Sequence, residues 1–554
     1  MKYLYCFLCI SITFIYSQGP LFIEQEHRVY SFLSHMETYG FISLEGVKPY
    51  TSSYIQIKLK KLKKQRLSVE NRQWLESFES EFFLVSQQKK SVQPFWTSKG
   101  FSHSWQSVTS SGFDESKEFL SFHKENENYL LASIRLQSEI MLKNSSANLI
   151  ATEYGGFGKF NDFYISVLKQ DYSISDKNSI LTQNSRFLTN KWSNDVVNSG
   201  SLESADHSRG YLAHKTKHTL FWLGRIPFEI GSGESGKFVL NGFQTSVPTS
   251  LGFSLDFWKI RYQGLHASLT APELMVTLEE NMNGALNSYR KAPDKFLTSH
   301  RFELDLSENF QIHYNELIVY GNRSLDLNYV NPFSFLRPLE HELGDRDNAI
   351  ITLGGKLKIP SLHLMGYTDF ILDEWKLDEL DAYWSDKKSW WANKHGNLTG
   401  ITWANHGIQV WAEYVAIAPW VYTHKFDVNR YTHDASPLGY KLGPNSQTMF
   451  YKMAYQYNPQ LRLEISHKRE QKGQNYSSNE RTLWNIGGDI FKGHIARFGE
   501  LTETRTFLEG DLLKRQTTEI KLRYDFNHYV KMESSYTIHS NENNLLMLYF
   551  SIRY

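Results

Sequence analysis

Cysteine is nearly absent: the 554 residues include two, Cys6 and Cys9, both inside the opening stretch "MKYLYCFLCISITFIYSQG". Beyond that stretch, neither a disulfide framework nor a thiolate metal site is available. Net charge is missing as well, because 60 Lys+Arg stand against 59 Asp+Glu. Without a basic excess to neutralise phosphates, nucleic acid is not an expected partner. No stretch after the opening has about 18 consecutive apolar residues, so transmembrane helices are not expected. Signatures of chemistry are also lacking. Neither a nucleophile elbow nor a Ser-His-Asp constellation can be assembled from spacing, and no H-E-x-x-H or calcium-loop motif occurs. The expectation is a non-enzymatic protein with no catalytic residue, cofactor or metal.

The opening stretch has one lysine, an apolar run from Leu4 to Tyr16 and then the small Ser17. This is the build of a secretory signal peptide over residues 1–18. Its apolar run is too short for a spanning helix, which takes roughly 20 residues.

Aromatic residues are plentiful at 15%, with 32 Tyr, 36 Phe and 14 Trp, as in proteins with much interfacial surface. Residues 19–90 carry helical spacing. Val29, Phe32, Leu33 and Met36 recur three and four apart, "KLKKLKKQR" places Leu59 and Leu62 on one side of a basic helix, and Trp74, Leu75, Phe78 and Phe82 form a further stripe after Ser68, a candidate cap. A small helical region of two or three helices is expected, with the lysines on a solvated face. Residues 91–128, rich in Ser, Lys and Glu, are read as a connector.

From residue 129 to 554 the period becomes two. Leu130, Ala132, Ile134 and Leu136 alternate with Ser133, Arg135 and Gln137; Ile520, Leu522, Tyr524 and Phe526 alternate with Glu519, Lys521, Arg523 and Asp525. A soluble sandwich shows the same alternation, so length and connections must decide. The strands span about 9–11 residues, the length that crosses a tilted barrel wall, whereas globular strands average nearer 5 or 6. Tight turns such as "SEN" (307–309), "ANHG" (404–407) and "NPQ" (458–460) also take turns with long polar connections. The expected fold is therefore mainly β: a large antiparallel transmembrane β-barrel of about eighteen strands, including one over 160–170, with a small N-terminal α-helical region. The last strand, "LLMLYFSIRY", is expected to close the barrel against a first strand near Leu130. Its terminal aromatic Tyr554 resembles the signature read by barrel-insertion machinery, so that machinery and outer-membrane lipid or lipopolysaccharide are expected partners. The expected location is the cell outer membrane, and a monomer is the expected state.

Three inferred outer loops combine turn formers with groups suited to hydrogen bonding. The first (329–348) carries Asn331, Glu340, His341, Asp347 and Asn348. The second (373–397) carries Trp375, Trp384, Trp390 and Trp391, and the third (421–445) Tyr431, His433 and Asn445. Arg225, Arg301, Glu316 and Arg323 are read as lumen charges that are simply paired with one another, plug the barrel or line a pore.

The stretches "NRSLDLNYVNPFSFLRPLEHELGDRDNAIITL", "AEYVAIAPWVYTH" and "YTHDASPLGYKLGPNS" resemble the capsule assembly Wzi family as it occurs in Bacteroidetes-type bacteria, with "LGRIPFEIGSGESGKFVLNG" similar to that family's Gly-Arg strand and loop. The resemblance implies an outer-membrane β-barrel with a periplasmic helical bundle, acting as a lectin that holds capsular or exopolysaccharide at the cell surface. In that role amide, carboxylate and hydroxyl groups would pair with sugar hydroxyls, and aromatic faces would pack on sugar rings. A porin passing small solutes is the alternative.

Overall fold

The computed structural model describes residues 22–84, 97–113, 122–141, 145–157, 202–242, 247–271, 274, 276–282, 285–374, 389–434, 436–476, 485–493, 504–526, 530–540 and 544–553. Eighteen strands make one closed antiparallel barrel. Each wall strand pairs with the next one in sequence. The last, Asn544–Arg553, returns to pair with the first, Thr97–Phe113, from Ser102↔Arg553 to Ser111↔Asn544. Closure leaves no unpaired edge, which a sheet facing hydrocarbon requires.

The first wall strand is a correction to the sequence reading. Residues 97–113 and 122–141, expected as a connector over 91–128 running into the barrel, are two wall strands paired along most of their length. A segment such as "SHSWQSVTSS" shows little hydrophobic alternation, so its periodicity is faint. The ladder hydrogen bonds of its neighbours hold it in the wall regardless. The closing partner of the last strand is consequently this segment and not the one near Leu130. The expected strand over 160–170, the signal peptide and Tyr554 lie outside the described residues.

Alternation explains the wall elsewhere. Along Lys394–Asn405, Thr399, Ile401 and Trp403 are exposed while Leu398, Gly400, Thr402 and Ala404 are buried. Exposed Ile312, Leu353, Leu357, Met449, Met453, Ile465 and Leu522 continue the same outward surface around the barrel. So extensive an apolar exterior is abnormal in water and normal against lipid. The short turns gather at one end. His406 and Gly407, with φ of 45° and 74°, make a two-residue hairpin with both central residues left-handed, the geometry that matches strand twist. The long connections gather at the other end.

The N-terminal residues fold as helices α1 (Val29–Thr38), α2 (Ser52–Lys63) and α3 (Val69–Glu76). Thr51 Oγ1 caps α2 by accepting from Tyr54 N (3.3 Å), and Ser68 Oγ caps α3 by accepting from Asn71 N (3.2 Å). Val29, Phe32, Leu33, Met36, Ile55, Leu59, Leu62, Trp74 and Phe78 form their shared core, and Lys60, Lys61, Lys63 and Lys64 stay on the exposed face. This unit sits against the short-turn end. Tyr39 Oη donates to Asn405 Oδ1 (3.2 Å), Lys358 Nζ to Ile42 O (2.8 Å) and Arg523 Nη1 to Glu26 O (2.8 Å).

Candidate functional site

The barrel interior is filled from both mouths. From the short-turn end, the segment between α1 and α2 enters the lumen, where Gly46 N donates to Glu303 Oε1 (2.7 Å). From the long-loop end, residues 226–242 fold inward. The two meet in a small sheet in which Val47–Lys48 pairs with Glu229–Ile230, and Glu229–Ile230 pairs with Leu240–Asn241. Polar groups on the inner wall grip the descending loop. Ser232 N donates to Asp369 Oδ2 (2.8 Å), Glu234 N to Glu413 Oε2 (2.7 Å), and Lys452 Nζ to Glu234 Oε1 (3.0 Å). Arg301 spans Glu303 Oε1 (Nε, 2.7 Å) and Asn315 Oδ1 (Nη1, 2.8 Å), so this lumen charge is a buried brace. Buried charges stand only with such pairing.

A second inward fold, residues 418–434 and 436–445, lies over the first. Tyr422 Oη donates to Phe238 O (3.0 Å), Tyr431 Oη donates to Val239 O, and Asn241 N donates to Leu438 O (2.9 Å). Tyr422 and Tyr431 stack at 5.3 Å, and burial pushes both phenols well above the usual tyrosine range. Asn445 is fully buried. Its Nδ2 donates to Gly473 O and Glu509 O (2.8 Å each), and its Oδ1 accepts from Leu508 N (2.8 Å). His433 is buried with Nδ1 accepting from Thr270 N (3.1 Å), and Asn348 Nδ2 donates to Asn429 O (2.9 Å). Of the residues the sequence singles out here, Tyr431, His433, Asn348 and Asn445 thus hold the cap together from inside.

The loop over 322–347 takes an unexpected course, down the outside of the wall. It carries α4 (Leu327–Val330) and α5 (Leu336–Glu342), and Tyr329 and Leu336 pack on Ile318 and Tyr320 of the outward face. Glu316 is corrected by this course. It lies on the outward side, opposite in parity to Asn315, where its carboxylate accepts from Leu336 N at the start of α5 (2.8 Å) and from Tyr314 Oη (2.6 Å). A carboxylate is tolerated there because the flap covers it and the first helical amides need an acceptor. Arg225 shares its side with exposed Phe221 and Leu223, so it too faces outward. Arg323 belongs to the flap. Its Nη1 and Nη2 donate to Asp347 Oδ1 (2.8 Å) and Oδ2 (2.6 Å), and Tyr329 Oη donates to the same Oδ2 (2.8 Å). Asp347 is therefore the latch of the flap. Asn331 closes an exposed turn, accepting from Phe333 N (3.1 Å).

The accessible groups collect where the flap meets the second inward fold. Lys425 Nζ donates to Asp345 O (2.7 Å) and Asn429 Nδ2 to Arg346 O (2.9 Å), and these bonds join the two loops. On this rim His341, Asp345, Phe426 and Asp427 are exposed. Sequence reasoning missed Phe426 and Lys425, because an isolated "HKFD" has no periodicity and only the neighbouring loop marks it as a surface. Trp390 and Trp391 lie half-buried beside the cap, Trp391 edge-on to Trp420 at 6.0 Å; Trp375 and Trp384 lie outside the described residues. Glu340 is buried at the base of the rim, and burial together with the Asp345 charge pushes its carboxyl up to about 7. A recess of about 800 Å³ opens on the outward wall among Phe310, Ile312, Leu357, Ile401, Met449 and Tyr451. Its rim is apolar, which suits hydrocarbon and not a polar ligand.

No protein-family model and no curated protein sequence matches the chain. Among solved structures, it is similar to Wzi of Escherichia coli, described as an outer membrane protein involved in group 1 capsule assembly and a carbohydrate-binding β-barrel. The match has 13% identity and a TM-score of 0.56, over 96% of this chain and 99% of that one. OprD of Pseudomonas aeruginosa matches at 8% identity and TM-score 0.38, over 82% of this chain and 95% of that one. OccAB4 of Acinetobacter baumannii matches at 9% identity and TM-score 0.39, over 83% and 98%. The likeness to Wzi is one of fold along nearly the whole chain, and the fold is that of an outer-membrane β-barrel.

Proposed function

We propose that the protein is a non-enzymatic outer-membrane barrel that binds capsular or exopolysaccharide at its long-loop end and helps attach or assemble that polymer at the cell surface. The observation that carries this reading is the interlocked plug: elements from both mouths pair through Val47↔Ile230 and are bonded to the inner wall. A filled lumen speaks against free solute passage and leaves the loop surface as the working part. That surface has an ordered base of buried tyrosine, asparagine and histidine, and above it a rim with Phe426, Lys425, Asp427 and His341. An exposed aromatic face beside charged and imidazole groups suits a sugar ring with its hydroxyls or carboxylates. The carbohydrate-binding description of the E. coli barrel adds to this reading.

Deleting the chromosomal copy and measuring cell-bound against released polysaccharide tests the proposal. The expected result is a shift of polymer into the medium. Unchanged partitioning would overturn it. Conductance of the purified protein in planar bilayers tests the alternative of a solute channel, and stable open steps would favour that alternative.

A further inference from the structure

The end of α5 and the turn after it bring together three groups within residues 340–345. Glu340 and His341 are adjacent at the C-terminal end of the helix. Asp345 then takes a left-handed conformation (φ 52°) and donates its amide back to Glu340 O (3.1 Å), which turns its side chain toward them. The donor atoms of Glu340, His341 and Asp345 all lie within 4.8 Å of one another. That crowding alone would mean little, because acidic groups in loops are commonly solvated. The independent feature is Glu340 Oε2. This side chain is 1% exposed, its Oε2 is buried with no hydrogen-bond partner among the described residues, and the atom lies 3.8 Å from His341 Nε2.

A buried carboxylate oxygen without a partner is costly. The neighbouring charges relieve it only in part: Arg337 opposes the strain without bonding Oε2. Arg323 is taken up by Asp347, and Asp345 adds a second negative charge on the open side. A cation placed between the two carboxylates and the imidazole would satisfy Oε2 and cancel the repulsion at once.

We propose that Glu340, His341 and Asp345 form a divalent-cation site on the outer rim. One imidazole nitrogen with two carboxylates suits the borderline Zn²⁺, or Mn²⁺ with its liking for carboxylates, better than Ca²⁺, which prefers an all-oxygen shell of six to eight ligands. Three protein ligands leave coordination positions open, and the exposure of His341 and Asp345 leaves those positions to water or to a carboxylate from outside. The inference stands apart from the polysaccharide reading, since the cluster would bind the ion whether or not the rim holds a glycan.

The test uses the full-length protein purified in detergent with any affinity tag removed, titrated by calorimetry with ZnCl₂, MnCl₂ and CaCl₂. One equivalent of Zn²⁺ or Mn²⁺ is expected to bind, with Ca²⁺ weaker. Asp345→Asn and His341→Ala alter exposed side chains, so both should keep the heat-modifiable gel migration of an intact barrel while weakening the transition ion at least about tenfold. Glu340→Gln should do the same. If the wild type binds neither Zn²⁺ nor Mn²⁺, or if the intact Asp345→Asn and His341→Ala proteins bind the ion as tightly as the wild type, the site does not exist.

Discussion

Val47 pairs with Ile230 inside the barrel, although one enters from the helical unit at the short-turn end and the other hangs from a loop at the opposite end. Neither plug element is held by its own mouth alone. Gly46 sits at a tight point of this meeting, where an added Cβ would lie 2.3 Å from Arg301 Nη2 and 2.9 Å from Glu303 Oε1. Any side chain there must push apart a buried ion pair.

Gly46→Leu is therefore expected to loosen the plug without touching the wall ladder. Overpacking of this kind typically costs about 1–3 kcal/mol. In planar bilayers the wild type should stay closed, while the variant should show transient openings and melt at a lower temperature. A closed, fully stable variant would mean that the Arg301–Glu303 pair moves freely and does not lock the lumen.

A contact residue and a brace should separate cleanly. Tyr431 is fully buried and bonded to Val239, so Tyr431→Ala is expected to cost about 3–5 kcal/mol. Tyr431→Phe, which loses only one hydrogen bond, should cost about 0.5–1.5 kcal/mol. Phe426, at 47% exposure, should behave oppositely. Phe426→Ala is expected to leave the melting temperature within a degree or two of wild type, since exposed sites usually change stability by less than about 0.5 kcal/mol, and yet to release polymer from cells. Release by the tyrosine variants in proportion to lost stability, and by the phenylalanine variant without such loss, is the pattern to look for.

The wall and the helical unit were legible because each is written in hydrophobic periodicity. The dyad at Ile520–Phe526 and the three-four spacing at Val29–Met36 follow directly from which faces are buried. The cap was not legible in the same way. Tyr431, His433 and Asn445 look like ligand contacts in a polar loop, and only the second inward fold turns them into braces. Glu316 was misplaced for a related reason: parity along a strand predicts its side, but not that a helix from a distant loop will cover that side. Residues 97–113 were missed because a strand rich in serine relies on its neighbours' backbone pairing more than on its own side chains.

Asp347 ties Arg323 and Tyr329 to the end of the flap, with the carboxylate fully buried. Asp347→Ala leaves the Tyr329 phenol without its partner and Arg323 with only its longer contact to Asp326 (3.6 Å). The cost should therefore lie at or below the roughly 3–5 kcal/mol typical of breaking a buried pair. Because the wall is held by its own ladder, the loss should appear as local opening. Limited proteolysis in detergent is expected to nick the variant within residues 322–347 much faster than the wild type, while gel migration of the barrel remains unchanged.

The flap should also depend on pH, with a sign that its chemistry fixes. Glu340 has its carboxyl raised from 4.5 to about 7, first by burial and then by the charge of Asp345, with Asp347 adding to the effect and Arg337 opposing it. A raised acid takes up its proton in the folded flap before it does so in the opened one. Between about pH 4.5 and pH 7 the folded form thus binds more protons, and closure weakens as pH rises through that window. Hydrogen exchange of residues 336–347 is expected to be slower at pH 5 than at pH 8 after correction for the intrinsic rate. A local readout is needed because Glu45 in the plug, raised to about 7 by burial and by Asp256 and Glu303, shifts global stability in the same direction. Glu340→Gln, neutral at every pH, should remove the flap's dependence and leave the plug's. Saturating Zn²⁺ should act against it in the wild type by favouring the ionised carboxylate. A flap equally protected at both pH values in metal-free wild type would show that Glu340 is already neutralised by some other contact.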